Sequence, residues 1–120
     1  MLYFFRRFRL RLVWSWRGVR RTRASEHSFR TRVWANLVSG AAALTLPVSV
    51  AKQALILSLG VMVLAADLIN TAVEHAVDYI SEERHPMAEK AKDAGSAGVF
   101  LASLAAGLAW VVVLVQFIPR

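Results

Sequence analysis

The residues of this 120-residue chain best suited to chemistry lie between positions 67 and 96, where acids, an amide and lysines interrupt an otherwise apolar sequence. On a helix of 3.6 residues per turn, Asp67, Asn70, Glu74, Asp78 and Ser81 share one narrow face. Asn70 and Glu74 are one turn apart. A carboxylate and an amide oxygen so spaced are hard ligands, able to meet one Mg²⁺–phosphate cluster; Glu26, read locally as a partner for a neighbouring arginine or a helix N-terminus, becomes a second carboxylate for the same metal if topology brings it level with Glu74. Asp67 sits about two turns, or roughly 10 Å by helical rise, away from Glu74. It follows the uncharged run 54–66, so it falls at membrane depth, where a carboxylate is costly unless partnered. There it suits proton abstraction from an alcohol rather than contact with a nucleotide. Lys90 and Lys92, beside Asp93, add cations to neutralise phosphate charge. Together these are the parts of an in-line phosphoryl transfer.

Such a site needs elements that hold it at a membrane boundary. Residues 1–24 place Phe5, Phe8, Leu12, Trp16 and Val19 on one helical face with Arg6, Arg7, Arg11, Arg17, Arg20 and Arg21 mostly opposite, the pattern of an amphipathic surface helix. The arginines run too far, with no cleavage site after a short apolar core, for a signal peptide. Three spanning helices are expected at 26–50, 53–81 and 86–118, all in one membrane-embedded unit over 1–120. Ser25 is suited to cap the first, Pro47 to end it, Lys52 to open a short turn and Pro86 to begin the last. The second is longer than the ~20 residues a bilayer requires. Its last turns, with Glu74, His75 and Asp78, therefore project into water. The small residues Gly95, Ser96, Ala97 and Gly98 permit close helix packing.

Composition agrees. A hydrophobic content of 57%, only 19% charge and a mean hydropathy of +0.45 exclude an ordinary soluble domain of this length. The absence of cysteine excludes disulfides and thiol chemistry, and the three histidines are too dispersed for a zinc site. The net charge of +7 is carried by arginines interleaved with aromatics next to apolar spans, which points to anionic lipid rather than nucleic acid. Ten of the fifteen basic residues precede position 33, three more (Arg84, Lys90, Lys92) follow the second span, and only Lys52 and Arg120 lie on the other side. The positive-inside rule then places the N-terminus and the second connection in the cytoplasm and the C-terminus outside. All the acids, and ATP, are on the cytoplasmic side. There is no Walker A loop and no kinase glycine loop. A small channel or a basic accessory protein would not require Asp67, Asn70 and Glu74 to line one face.

The motifs DLINTAVE (67–74) and AKDAGSA (91–97), with HPMA (85–88), WSWRGVR (14–20) and SEHSFR (25–30), resemble the prokaryotic diacylglycerol kinase family, whose close relatives phosphorylate undecaprenol. The resemblance covers residues 3–118. It implies a homotrimer of three-span protomers with an N-terminal surface helix in the bacterial inner membrane, and an ATP- and Mg²⁺-dependent lipid kinase with sites assembled from neighbouring protomers. It further implies that Glu26 and Glu74 hold the metal, that Asn70 supports the phosphates, that Lys92 and Asp93 engage the nucleotide and that position 67 is the general base. The family pattern has glutamate at that position. Asp67 is one methylene shorter, and Arg32 stands where relatives of this type often carry an acid. GSAGVF (95–100) resembles the diacylglycerol-using branch, and INTA (69–72) and HPMA the undecaprenol-using one. Diacylglycerol is the expected acceptor.

Overall fold

The computed structural model describes residues 1–25 and 27–119, with side chains described outside 18–19 and 21–28. They form helices α1 (Leu2–Ser25), α2 (His27–Thr45), α3 (Val50–Ile80) and α4 (Pro86–Val115). The expected residue at Glu26, and the packing of the Val19 and Ser25 side chains, lie outside the described set.

The helix ends follow local chemistry. α2 stops at Thr45, five residues before the expected end, because Pro47 lacks an N–H and disfavours helical backbone at Leu46. α3 starts at Val50 rather than 53. The Ser49 side chain caps it by accepting from the Lys52 N–H at 3.3 Å, so Lys52 lies in the first helical turn and not in a connecting one. Ser81 has extended backbone and ends α3, which takes it off the polar stripe. Its hydroxyl instead accepts from the Glu83 N–H at 3.1 Å. His85 caps α4 through Nδ1, accepting from the Met87 N–H at 3.1 Å, with Pro86 at the first helical position as expected. α4 ends at Val115, after which Phe117 and Ile118 continue only as turns.

α3 is central, packed against α4 on one side and α2 on the other. Both neighbours run antiparallel to it, as the contacts show. Going up α2, Arg32, Asn36 and Gly40 meet Asp67, Gly60 and Leu57 in turn. Going up α4, Lys92 pairs with Asp78 and Gln116 accepts from Lys52. The Lys52–Gln116 contact thus closes the end of the molecule opposite the acids. Trp110 of α4 reaches past α3 to α2, where its indole N–H donates to Ser39 Oγ at 2.8 Å. The buried core near that end consists of Ala43, Ile56, Ala109 and Val113.

Large apolar side chains mostly stay uncovered. Val61, Ile69, Phe100 and Val112 are each more than 60% exposed, as are Phe4, Phe5 and Trp16 on α1. Water would penalise such a surface at about 25 cal/mol per Å² of apolar area. Lipid does not, and α3 and α4, at 31 and 30 residues, are long and apolar enough to cross a bilayer. At 19 residues and opening on HSFRTR, α2 does not meet the same measure.

Close approach of α2 to α3 depends on Gly60. A Cβ there would overlap the Asn36 side chain, whose Nδ2 donates to the Gly60 carbonyl at 2.7 Å. Gly60→Ala is expected to break that bond and destabilise the fold by about 1 kcal/mol. Unfolding in mixed micelles should show the loss, and it should largely vanish when Asn36→Ala is already present.

Candidate active site

The polar stripe of α3 is built as its periodicity requires, and α2 and α4 enclose it. Arg32, Asp67, Asn70, Thr71, Glu74, Ser96 and Phe100 line a cavity of about 280 Å³. A second groove of about 230 Å³ adjoins it, lined chiefly by apolar and small residues such as Ile56, Val63, Ala106 and Trp110. The two share Arg32 and Ser103. A larger cavity, about 460 Å³, lies at the α3–α4 turn around Val77, Ile80 and Met87, but it contains neither Asp67 nor Glu74.

Among the described residues Asp67 is the one charged residue in the buried core, 5% exposed. Its Oδ1 accepts from Arg32 Nη1 at 2.7 Å, which supplies the partner that a carboxylate at this depth needs. Its Oδ2 is buried without a hydrogen-bond partner. One turn on, Asn70 Nδ2 donates to Glu74 Oε1 at 3.3 Å, while Asn70 Oδ1 is buried and unpartnered. Two buried oxygen acceptors on neighbouring turns of α3 are thus left without a donor.

Asn70 also explains one glycine. A Cβ at Gly95 would overlap Asn70 Oδ1, so only glycine lets α4 lie this close to the stripe. Gly98, expected to serve the same packing, faces open space.

Lys92 and Asp93 are not in the cavity lining, although they precede Ser96 on the same side of α4 by one turn. Lys92 Nζ donates to Asp78 Oδ1 at 2.6 Å, across α3 and α4 at the projecting end. That hydrogen bond, with the charges of Asp78 and Glu74, raises the lysine above its usual range against a smaller opposing effect of desolvation. The ammonium is therefore held protonated near the cavity. Asp93 is exposed.

Arg32 is the site residue that the sequence pattern did not reveal. Arg32 and Asp67, the two residues at which the resemblance implied a different side chain, are the two ends of one ion pair. A signal existed on α2: Arg32, Asn36, Ser39 and Ala43 recur at helical spacing, and all four face α3 or α4.

The family model for prokaryotic diacylglycerol kinase matches residues 13–114. The chain belongs to that family. It is 34% identical to the diacylglycerol kinase of Escherichia coli (strain K12) over 101 residues, 84% of this chain and 83% of that one. Identity to the Pseudomonas aeruginosa diacylglycerol kinase is 38% over 89 residues, 74% and 72% of the two chains. A more distant relative, the undecaprenol kinase of Bacillus subtilis, is 28% identical over 114 residues, covering 95% and 90%. This is a family of lipid kinases, and a lipid alcohol is the class of substrate its members' names imply.

Gly95→Ala is expected to push the Asn70 amide out of place. Displacing a positioning group by about 1 Å costs up to roughly 100-fold in rate. Turnover should therefore fall by at least about tenfold while the assembled protein keeps its helical circular dichroism. A variant with normal turnover would show that the α3–α4 spacing at Asn70 is not critical.

Proposed function

We propose that the protein transfers the γ-phosphate of ATP to the hydroxyl of diacylglycerol, giving phosphatidic acid, at the cytoplasmic face of the bacterial inner membrane. The observation that carries this reading is the unpartnered Oδ2 of Asp67, a residue lining a polar cavity that shares Arg32 and Ser103 with an adjoining apolar groove. An acyl chain suits the groove, and a hydroxyl at its upper end would meet Oδ2. The acceptor's O–H proton passes to Oδ2 as its oxygen forms a bond to the γ-phosphorus. The bond from that phosphorus to the bridging oxygen breaks, its electron pair leaving on ADP. Undecaprenol as acceptor is the second reading, supported by the 28% identity that extends over 95% of the chain.

The donor set fits Mg²⁺. Two carboxylates line the cavity, Asp67, which is paired with Arg32, and Glu74, which stands next to the amide of Asn70, so Glu74 is the one we assign to the metal. Mg²⁺ is ordinarily held by one or two carboxylates plus phosphates and water, and Glu26 is the second carboxylate we assign to it. When bound, the ion would neutralise charge shared by the β- and γ-phosphates. Asn70 would orient the phosphates, and Lys92, released from Asp78, would join Asp93 in engaging the nucleotide.

The uncovered apolar faces support α2 as a third span and a homotrimer in which neighbouring protomers complete each site. The arginine-rich α1, with Arg7 stacked on Tyr3 at 4.8 Å and its aromatics exposed, supports a surface helix on anionic lipid. Impermeant labelling of single cysteines introduced at positions 84 and 119 should find the first inside and the second outside. The reverse pattern would put the acids away from ATP.

One assay tests the chemistry: ATP turnover in mixed micelles with diacylglycerol or undecaprenol offered separately. Asp67→Asn should lower kcat by about 10²- to 10⁴-fold, the usual contribution of a positioned base, with little change in apparent ATP affinity. Asp67→Glu should keep or raise the rate. Glu74→Gln should lose most activity, and extra Mg²⁺ should recover part of it. An Asp67→Asn enzyme keeping more than about a third of the wild-type rate, outside that range, would remove Asp67 as the base.

A further inference from the structure

We propose that Arg32 is the positioning residue for Asp67, fixing the carboxylate through Oδ1 so that Oδ2 is presented to the acceptor hydroxyl. The inference rests on the kinase reading above and assigns a task within it to a residue on a different helix.

Three observations carry it. First, the pairing is one-sided: Arg32 Nη1 engages Oδ1 at 2.7 Å, and Oδ2 has no partner. An arginine paired only to screen a buried charge is best placed with its fork across both oxygens. A single contact leaves one oxygen free to take a proton. Second, Arg32 lines both the polar cavity and the apolar groove while Asp67 lines the cavity, so on the kinase reading the guanidinium stands where a lipid head would meet a phosphate. Third, the aspartate side chain has only two torsions, and its carboxylate stays close to the α3 backbone. A guanidinium from α2 drawing on one oxygen restricts the second of those torsions and with it the direction in which the other oxygen points.

The described groups around Asp67 on α2, α3 and α4 support a local effect. α2 contributes Arg32, α3 contributes Thr71, whose hydroxyl is already committed to the Asp67 carbonyl at 2.9 Å, and α4 contributes Ser103 and Ser96 to the cavity wall. Among the described residues lining that cavity, Arg32 alone is cationic. Arg32→Gln should therefore remove the orienting contact that the described cavity wall supplies.

The test is a double-mutant cycle in lipid-dependent ATP turnover, using the full chain in mixed micelles. Arg32→Gln should lower kcat by about tenfold or more, with the KM for ATP unchanged, as expected for loss of orientation rather than of binding. In the Asp67→Glu background, where the longer side chain reaches the hydroxyl without help, the same substitution should cost less than about threefold. Arg32→Lys should fall between, since an ammonium keeps the charge but not the planar geometry. It also carries the comparison in both backgrounds if Arg32→Gln does not assemble. Equal losses in the two backgrounds would mark a purely structural role and overturn the proposal. A raised KM for ATP at constant kcat would also overturn it, by placing the guanidinium on the nucleotide. Wild-type protein inactive with every lipid alcohol would sink the kinase reading itself, whereas an active wild type with unaffected Arg32 variants would sink only this assignment.

Discussion

The structure depends on one ion pair. Arg32 and Asp67 bring opposite charges together between α2 and α3, at a level where α3 has just left a run of thirteen uncharged residues, Ala54 to Ala66. Asp67 alone would be costly there, whereas Arg32 is partly solvated, so the pair is worth less than a fully buried one. Together with the close contacts at Gly60 and Gly40 it helps set the register of α2 on α3. From that point Asn36 meets Gly60 and Gly40 meets Leu57, each a turn or more further along. A register one turn off would separate the charges and drive the Asn36 side chain into a position that carries a Cβ.

The functional stripe was readable from the sequence because it obeys the period of a single helix. Asp67, Asn70, Glu74 and Asp78 need only 3.6 residues per turn to align, and they do. What joins one helix to another was not readable in that way. Nothing within residues 26–50 says that Arg32 points at Asp67, since that depends on how far α2 slides along α3, a quantity set by glycines and by the pair itself. The helix ends failed for a more local reason. Apolar runs such as 46–50 look continuous by hydropathy, yet Pro47 and the Ser49 cap divide them into the end of one helix and the start of the next. Ser81 shows the same competition at the other end of α3, where capping chemistry overrides its place on the polar face.

Packing around α3 has a consequence for the faces turned outward. Only a few side chains of the described set are fully covered, and the core that exists is concentrated near the Lys52–Gln116 end. At the acidic end the buried Phe29 and Val99 are accompanied by polar contacts between helices, Arg32 to Asp67 and Lys92 to Asp78. Polar contacts tolerate rearrangement better than close-packed methyl groups, because each partner can be exchanged for another donor or acceptor. A site that must admit and release a charged substrate is better placed at that end, and the rigid, apolar end is free to serve as an anchor.

Along α3 these features form a ladder. Asp78 with Lys92 stands at the projecting end, then Glu74, then Asn70, then Asp67 with Arg32, and below them the apolar groove beside Gly60 and Ile56. Each step is about one helical turn, roughly 5.4 Å of rise. Phosphates occupying the upper steps and a lipid tail occupying the groove can therefore meet only near Asn70 and Asp67. On the proposed reading this division needs no moving lid, because the helical rise itself separates the nucleotide level from the lipid level. On the same reading a carboxylate on a side chain as short as that of Asp67 must be held in one direction to reach the acceptor, and direction is what a single contact from α2 provides.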